Sequence, residues 1–340
     1  MKAFAALVVA TVALALGPLS ARADMKQLEE AAKKEGEITW YVSHYTSEGA
    51  EELGATFTKL HGIKVNVVRT TAQVAYQRLT QDIKNGQTIC DVFSSTDIGH
   101  LVRLKAQGHL EKYTPEDASK ITEVFRNLDP DGYFHTTSAG FVLITYNSSK
   151  VKPEEAPKKW TDLLDPKWKD KISTGHPGFS GYVGTWVLQM KLLYGWDFFK
   201  KLEKNKPQIG RSINDTVTAL NAGEREVAAG ADGSTMFSAA RGNPLSIVYP
   251  SDGAVLIIAP SAIIKGTKHP NAARLFMEYL YSIDAAKINV KHFGVPMRPE
   301  VPVAKGEKPV SEVKAIHPTV QQIYKGIPEA IEDWRDTFGN

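Results

Sequence analysis

The sequence contains a single cysteine, Cys90, so no disulfide bond can form within the chain. Cys90 stands between Ile89 and Asp91 at the start of a predicted strand, which favours a buried structural thiol. A catalytic thiol needs a neighbouring base, and no nearby motif supplies one. Stability must therefore come from burial of apolar side chains, and the composition of 42% apolar and 23% charged residues is ordinary for a globular protein.

Long apolar runs are absent after residue 19. The one such run, from Ala3 to Leu19, follows Lys2 and is followed by Ala21-Arg22-Ala23, a small-x-small cleavage pattern. This arrangement predicts a cleavable signal peptide over residues 1–23. The run is near the lower length limit for a membrane-spanning helix. We therefore expect a protein exported to the periplasm, with no membrane insertion after cleavage.

A large excess of charge of one sign is also missing. The formal net charge is +3 for the whole chain and +1 without Lys2 and Arg22. Such a balance gives no support for a nucleic acid or an anionic membrane surface as partner. We expect a monomer that does not bind nucleic acid.

Motifs of catalysis and cofactor binding are missing as well. The segment Gly178-Phe179-Ser180-Gly181-Tyr182 falls short of the Gly-x-Ser-x-Gly nucleophile turn. Neither a phosphate-binding loop with Gly-Lys-Ser/Thr nor a His-Glu-x-x-His zinc motif occurs. We expect that the protein is not an enzyme and binds no cofactor. A hydrolase is a minor alternative.

What the sequence does have is an alternation of strands and helices. Apolar strands are predicted at 38–42, 63–68 and 91–93, with helices between them, of which one runs over 72–84. The order β-α-β-α-β predicts an α/β fold with a mostly parallel, doubly wound sheet. The 317 residues after the predicted cleavage site exceed one comfortable core, so two domains are expected. Further strands are predicted at 141–146, 171–173, 208–211, 226–229 and 254–258, and further helices at 158–164, 184–193, 217–221 and 270–280.

Hydroxyl and glycine residues gather where predicted strands pass into helices. In a doubly wound sheet, ligands bind beyond the carboxyl ends of strands, at the amino ends of helices. The alternative for each residue is a simple helix cap or a surface ion pair. The candidate ligand-binding residues are Ser43, His44, Tyr45, Arg69, Ser94, Ser95, Thr96, Ser138, His176, Ser180, Gly181, Tyr182, Arg211, Asn214, Asp232, Ser234 and Asp252.

Several short segments resemble one known family. They are Asp91-Val92-Phe93, Tyr146-Asn147-Ser148, the block Trp160-Thr161-Asp162-Leu163-Leu164-Asp165-Pro166, Asn221-Ala222-Gly223-Glu224, and Phe293-Gly294-Val295-Pro296. Together they resemble the ferric-ion-binding-protein branch of the periplasmic substrate-binding proteins that serve ABC importers.

The resemblance implies a type II periplasmic binding protein: two doubly wound α/β lobes joined by crossing hinge strands. We expect one lobe from residues 24–138 and 251–290, and the other from 139–250 and 291–340. A small ligand would lie between the lobes, and closure would create the surface that an ABC permease at the inner membrane recognises. A receptor that signals to a membrane sensor would use the same cleft.

The iron chemistry of this family is largely absent from the chain. Members that bind ferric iron use a pair of adjacent tyrosines, expected here near Gly233-Ser234, but no tyrosine lies between Tyr194 and Tyr249. The acid expected after Asp91-Val92-Phe93 is Thr96, so His44 is the one weak candidate for a metal ligand. We therefore expect a small organic oxyanion of the phosphate, phosphonate or carboxylate type. Ferric iron is the main alternative, and thiamine or a polyamine is less favoured.

Overall fold

The computed structural model describes residues 17–339, which include only the end of the predicted signal peptide, so most of that segment lies outside the described residues. The helices are α1 (Gly17–Glu35), α2 (Ser47–His61), α3 (Ala72–Lys84), α4 (Ile98–Ala106), α5 (Gly181–Tyr194), α6 (Asp197–Glu203), α7 (Asp215–Asn221), α8 (Asp232–Ala240), α9 (Pro270–Leu280), α10 (Ile283–Lys291) and α11 (Val320–Phe338). The strands are β1 (Glu37–Val42), β2 (Lys64–Arg69), β3 (Val92–Ser94), β4 (His135–Asn147), β5 (Ile172–Thr174), β6 (Gln208–Ile209), β7 (Val227–Ala231), β8 (Leu245–Val248), β9 (Ala254–Ile263) and β10 (Ala315–Ile316). No helix in this described part is both long enough and apolar enough to cross a membrane.

The strands form one continuous sheet in the order β2-β1-β3-β9-β4-β7-β5-β6, with β10 beside β9 and β8 beside β4. Strand β1 lies parallel to β2 and β3 at one end, and β5 lies parallel to β6 and β7 at the other. The two ends are joined by β4 and β9, which run antiparallel to each other over their length. These long paired strands are the expected crossing strands between two α/β lobes.

Three large apolar cores hold the halves together. One lies around β1, α2 and α9 and contains Trp40, Phe57 and Phe276. Another lies around α5 and α6 and contains Trp160 and Trp186. The third spans both ends of the sheet and includes residues of α4, the crossing strands and α11. The third core therefore connects the two ends of the sheet.

Local sequence signals place several helices where they were predicted. Helix α2 begins after Thr46, whose hydroxyl accepts a hydrogen bond from the Gly49 N–H at 3.0 Å, and ends at Gly62, which has a φ of +73°. Helices α3 and α9 have the predicted bounds. These boundaries depend on caps and breakers next to the helix, so the sequence can specify them.

Other boundaries differ from the predicted ones. The sequence predicts Ser95 or Thr96 as the cap of helix α4. The cap is instead Asp97, because the Asp97 carboxylate accepts the Gly99 N–H at 2.8 Å. Helix α5 begins at Gly181, three residues earlier than predicted. The predicted helix at 158–164 is a 3-10 helix, Trp160–Leu164.

The C-terminal helix α11 is not among the predicted helices. Its first half packs on α4 through Ile323 and Ile327, and its second half packs on α5 and α6 through Ala330 and Trp334. Pro328 lies between the two halves. One helix therefore contacts elements from both ends of the sheet.

The thiol of Cys90 is buried, as predicted. Its sulfur donates to the carbonyl of Val92 at 3.3 Å, and burial raises the pKa of the thiol well above its ordinary value. Such a thiol is a packing group rather than a nucleophile.

Candidate functional site

A cavity of about 60 Å³ lies between the two ends of the sheet. Its wall combines segments that are far apart in the sequence: the loops after β1 and β2, the middle of β4, the first turns of α5, α7 and α8, and the segment that ends α10. Pockets for drug-sized ligands have volumes of roughly 300 Å³ or more. The space between the two ends of the sheet is therefore narrow and fits only a small group.

Eleven of the residues proposed from the sequence line this one cavity. They come from both lobes, as the strand-to-helix argument requires. The eleven are Ser43, His44, Tyr45, Arg69, Thr96, Ser138, Ser180, Tyr182, Asn214, Asp232 and Ser234.

Two of the proposed serines lie behind the cavity wall instead. The Ser94 hydroxyl accepts a hydrogen bond from the Trp40 indole at 2.7 Å and lies 2.5 Å from the Ser261 hydroxyl. The Ser95 hydroxyl contacts the His100 ring at 3.0 Å and accepts the Asp97 N–H at 3.1 Å. Both hydroxyls are occupied within the protein, so they support the loop and do not reach the ligand space.

Four further proposed residues also lie outside the cavity lining. Arg211 is exposed, with its guanidinium 4.9 Å from the centre of the Phe179 ring. Asp252 accepts hydrogen bonds from the Trp160 N–H at 2.8 Å and the Tyr194 hydroxyl at 2.6 Å. His176 accepts the Gly178 N–H at 2.9 Å, and Gly181 packs against the backbone of Thr96.

Arg69 is the cation of the cavity. It ends β2, and its Nε donates to the Tyr45 carbonyl at 3.0 Å. Within residues 17–339 no carboxylate lies within 4.0 Å of its guanidinium, and Glu48 pairs instead with Arg241 at 3.6 Å. Burial lowers the pKa of Arg69 from its ordinary value, but an arginine remains charged. Buried charges in proteins are normally paired, so this one is available to an anionic ligand.

His44 contributes a neutral imidazole beside this cation. Both of its ring nitrogens are buried without a hydrogen-bond partner, and its ring packs on Tyr45 with centroids 4.2 Å apart. Burial, with a smaller contribution from Arg69, lowers the pKa of His44 to about 3. At neutral pH the ring therefore presents one N–H donor and one acceptor towards the cavity.

Four helices begin at the cavity without a side-chain cap. They are α3, α5, α7 and α8, whose capping residues Thr71, Ser180, Asn214 and Ala231 all line the space. The hydroxyls of Thr71 and Ser234 are buried there without a partner. The first N–H groups of α7 already donate to backbone carbonyls, and the Gly233 N–H of α8 donates to Asp232. The helix starts nonetheless bring a partial positive charge to the cavity, which suits an oxyanion.

In contrast to the cation Arg69, other parts of the cavity wall carry an acid, Asp232, and two tyrosines. Asp232 is 4% exposed, and its Oδ1 accepts the Gly233 N–H at 2.7 Å. Burial raises the pKa of its carboxyl to about 7. The Tyr45 hydroxyl donates to the Thr137 carbonyl at 3.2 Å, and burial raises the pKa of Tyr45 and of Tyr182.

Glycine at position 140 keeps this part of the cavity open. A Cβ there would lie 2.5 Å from the Tyr182 hydroxyl and 3.1 Å from the Asp232 Oδ1. Any side chain at this position would therefore displace the two groups that border it.

Some of the lining was not proposed from the sequence. His292 lines the cavity with a buried and unpartnered Nδ1, while its Nε2 contacts Glu52 at 2.8 Å. The adjoining Phe293-Gly294 belongs to a segment that carried the family resemblance, which was the available signal. Other lining residues that were not proposed from the sequence are Thr46, Thr71, Ser212 and Asn289.

A metal site is not evident in this wall. Residues 17–339 contain no group of three or more His, Cys, Asp or Glu side chains placed to hold a metal ion. Tyr45 and Tyr182 nonetheless line the same cavity as His44. Tyr182 therefore lines this cavity even though it comes from the first turn of α5, which is distant in sequence.

Known proteins share this architecture. The chain is 24% identical over 278 residues to a putative 2-aminoethylphosphonate-binding periplasmic protein of Salmonella typhimurium, covering 78% of this chain and 77% of that one. The fold matches the periplasmic binding protein AfuA of Actinobacillus pleuropneumoniae, solved with fructose-6-phosphate, with a TM-score of 0.80 and 22% identity over 89% of this chain and 98% of that one. It also matches iron-bound HitA of Pseudomonas aeruginosa, with a TM-score of 0.77 and 20% identity over 88% and 99% of the two chains. At these identities the two structures establish the fold alone.

The family described as bacterial extracellular solute-binding protein matches residues 87–322, more than half of the chain. The match includes the crossing strands and most of the cavity-lining segments of the second lobe. The chain therefore belongs to the bacterial extracellular solute-binding proteins, and its fold is that of the type II periplasmic binding proteins.

Proposed function

We propose that this protein is the periplasmic binding component of an ABC importer that captures a small organic oxyanion between its lobes. The ligand would carry a phosphate, phosphonate or carboxylate group. Closure of the lobes, with boundaries near residues 138/139 and 250/251, would present the loaded protein to the permease. The protein would release its ligand unchanged, without catalysis.

The observation that carries this proposal is the unpaired Arg69 beside four uncapped helix starts. Arg69 is half-buried, and a guanidinium that is partly shielded from water is costly without a carboxylate partner, so an anionic ligand would supply the missing charge. The starts of α3, α5 and α8 border the same space, and an oxyanion has enough lone pairs to accept hydrogen bonds from several backbone N–H groups there. The likeness to a fructose-6-phosphate-bound protein and to a putative phosphonate-binding protein agrees with this chemistry.

Direct contacts between the lobes support capture by closure. The Gln73 N–H, in the first turn of α3, donates to the Phe179 carbonyl at 3.4 Å. Arg241 at the end of α8 pairs with Glu48 of α2 at 3.6 Å. A ligand that contacts both lobes would favour the closed state over the open one by its differential affinity.

Ferric iron is the second candidate, because Tyr45, Tyr182 and His44 line one cavity. Phenolate oxygen is a hard ligand suited to a hard cation. Against this, burial raises the pKa of both tyrosines, and Arg69 would stand beside a trivalent cation. A polyamine or thiamine would meet the same repulsion from Arg69.

A panel of ligands measured by thermal unfolding tests the proposal. The panel contains hexose phosphates, aminophosphonates, simple carboxylates, ferric citrate, thiamine and spermidine. An oxyanion at 100 times its dissociation constant should add about 2.7 kcal/mol to the free energy of unfolding. Stabilisation by ferric citrate with a visible charge-transfer band, and by no organic anion, would replace the proposal with the iron alternative.

A further inference from the structure

The cavity contains a buried acid that the oxyanion proposal does not use. Asp232 lines the same space as Arg69 and is 96% buried, since only 4% of it is exposed. When it is ionised, a carboxylate in this wall repels an oxyanion, because like charges repel. Asp232 therefore calls for a role of its own.

No basic side chain neutralises this carboxyl. Within residues 17–339 no Lys, Arg or His nitrogen lies within 4.0 Å of Asp232, and its hydrogen bonds come from backbone N–H groups, including Gly233 at 2.7 Å. The titratable groups that face it are Tyr182 of α5, Tyr249 after β8, and Glu307 of the segment that follows α10.

Glu307 reinforces the acidic character from behind. Residues 302–309 pass over α8, where a Cβ on Gly306 would lie 2.9 Å from the Met236 methyl carbon. The Glu307 Oε1 is buried without a hydrogen-bond partner. Its neighbour Lys308 does not reach it, since the Lys308 ammonium lies 5.2 Å from the centre of the Tyr249 ring. Two carboxyls thus share one buried region without a cation.

We propose that Asp232, supported by Glu307, selects a ligand that carries an ammonium group in addition to its oxyanion. This inference rests on the proposed function, because Arg69 and the helix starts would hold the oxyanion end. The ammonium end would lie against Asp232 and supply the cation that the acid pair lacks. The ligand class is a short zwitterion such as an amino-phosphonate, an amino-phosphate ester or an amino acid.

Binding of such a ligand would release a proton. Burial raises the pKa of Asp232 to about 7, and burial together with the charge of Asp232 raises the pKa of Glu307 to about 9, so the pair holds a proton at neutral pH. A cation beside the pair favours the charged carboxylates and lowers both pKa values, and the proton passes to solvent. Affinity for the zwitterion should therefore rise as the pH increases from 6 towards 9.

Matched pairs of ligands test the selection directly. The pairs are 2-aminoethylphosphonate with ethylphosphonate, phosphoethanolamine with ethyl phosphate, and β-alanine with propionate, each measured by isothermal titration calorimetry. The expected result is at least tenfold tighter binding of the ammonium-bearing member of one pair, with proton release seen as a dependence of the heat on buffer ionisation enthalpy. In Asp232→Asn the two members of a pair should bind with about equal affinity. In Glu307→Gln the proton release should be smaller.

Asp252→Asn is the matched control, because Asp252 is also held by hydrogen bonds but lies outside the cavity lining. It should leave the preference unchanged. If both members bind equally in every pair that binds, or if hexose phosphates bind and no member of any pair does, the ammonium inference is wrong while the oxyanion proposal stands. If no member of any pair binds and hexose phosphates also fail to bind, the oxyanion proposal itself fails. Thermal unfolding of each variant verifies that it is folded.

Discussion

Gly181 in one lobe lies directly against the backbone of Thr96 in the other. A Cβ on Gly181 would lie 2.5 Å from the backbone nitrogen of Asp97 and closer still to the Thr96 carbonyl. Only glycine at the start of α5 allows this approach, since real Cβ atoms do not come so near to a backbone. Because the two residues belong to different lobes in our proposal, this contact would form only when the lobes are closed.

Gly181→Ala should therefore weaken ligand binding by hindering closure. The expected loss is at least tenfold in affinity, with little change in the stability of the protein, because the methyl group can be accommodated when the lobes stand apart. Calorimetric titration with the ligand found in the panel measures the affinity, and small-angle X-ray scattering measures the change in radius of gyration on binding.

Gly184→Ala, one turn later in the same helix, is the control. Its Cβ would meet the flexible end of the Ile327 side chain at 3.3 Å, so it changes helix propensity equally without blocking the lobe contact. Equal losses in the two variants would show that closure does not depend on the Gly181 contact.

Arg69 lines the cavity, whereas Arg211 lies on the surface outside it. Arg69→Met should weaken binding of the oxyanion at least a hundredfold, because a charge-assisted contact to the ligand is lost within a buried space. Arg211→Ala should leave the affinity within about twofold, since the exposed Arg211 side chain stacks on Phe179 outside the cavity lining. Calorimetric titration of both variants provides the measurement, and a loss of affinity in Arg211→Ala that matches Arg69→Met would return Arg211 to the site.

These two arginines also show which features of the site can be predicted from the sequence and which cannot. The rule that ligands bind at strand-to-helix junctions predicts that Arg69, Asn214 and Asp232 share one region, and all three line the same cavity. The rule could not tell which way each side chain points. That direction depends on packing between lobes, and for Arg211 the ring of Phe179 offers a competing contact that no local pattern reveals.

Helix boundaries are also of two kinds: some are specified by neighbouring residues in the sequence, and others depend on tertiary contacts. Thr46 and Gly62 specify both ends of α2, because each acts on its own neighbours in the chain. The run Ser95-Thr96-Asp97 offers three capping side chains, and the choice of Asp97 follows from the tertiary contacts that already occupy the Ser95 hydroxyl. In α11, Pro328 interrupts the helical pattern, although packing on both lobes stabilises the helix around it.

The buried imidazole of His44 should make the free protein less stable in acid. The unfolded chain binds a proton at this residue below its ordinary pKa of about 6.5, whereas the folded chain does so only near pH 3. Stability from this residue is therefore complete above pH 6.5 and falls as the pH decreases, by about 2 kcal/mol between pH 6.5 and 5. Asp232 acts in the opposite direction, since its raised pKa favours the folded state as the pH falls below about 7.

The comparison that isolates the histidine is therefore between variants. The free energy of unfolding is measured in urea at pH 7 and at pH 5. On going to pH 5 it should decrease more, or increase less, in the wild-type protein than in His44→Gln, which has no group to protonate at this position. Identical pH dependence in the two proteins would mean that the His44 ring is protonated equally in the folded and unfolded states.

Helix α11 should stabilise the second lobe mainly through Trp334. This side chain is fully buried, and its ring centroid lies 5.6 Å from that of Phe199 and 4.2 Å from that of Phe338. Trp334→Ala removes this packing and leaves a cavity, so we expect a loss of about 3–5 kcal/mol in the free energy of unfolding. Urea denaturation followed by circular dichroism measures the loss.

Glu332→Ala, two residues earlier on the exposed side of the helix, should change stability by less than about 0.5 kcal/mol. Because α11 also packs on α4 through Ile323 and Ile327, its two halves need not fail together. If Trp334→Ala lowers the transition midpoint without changing the slope, the lobes unfold as one unit. If instead two transitions appear, the helix joins two lobes that can each unfold separately, and the packing of Trp334 belongs to the second lobe alone.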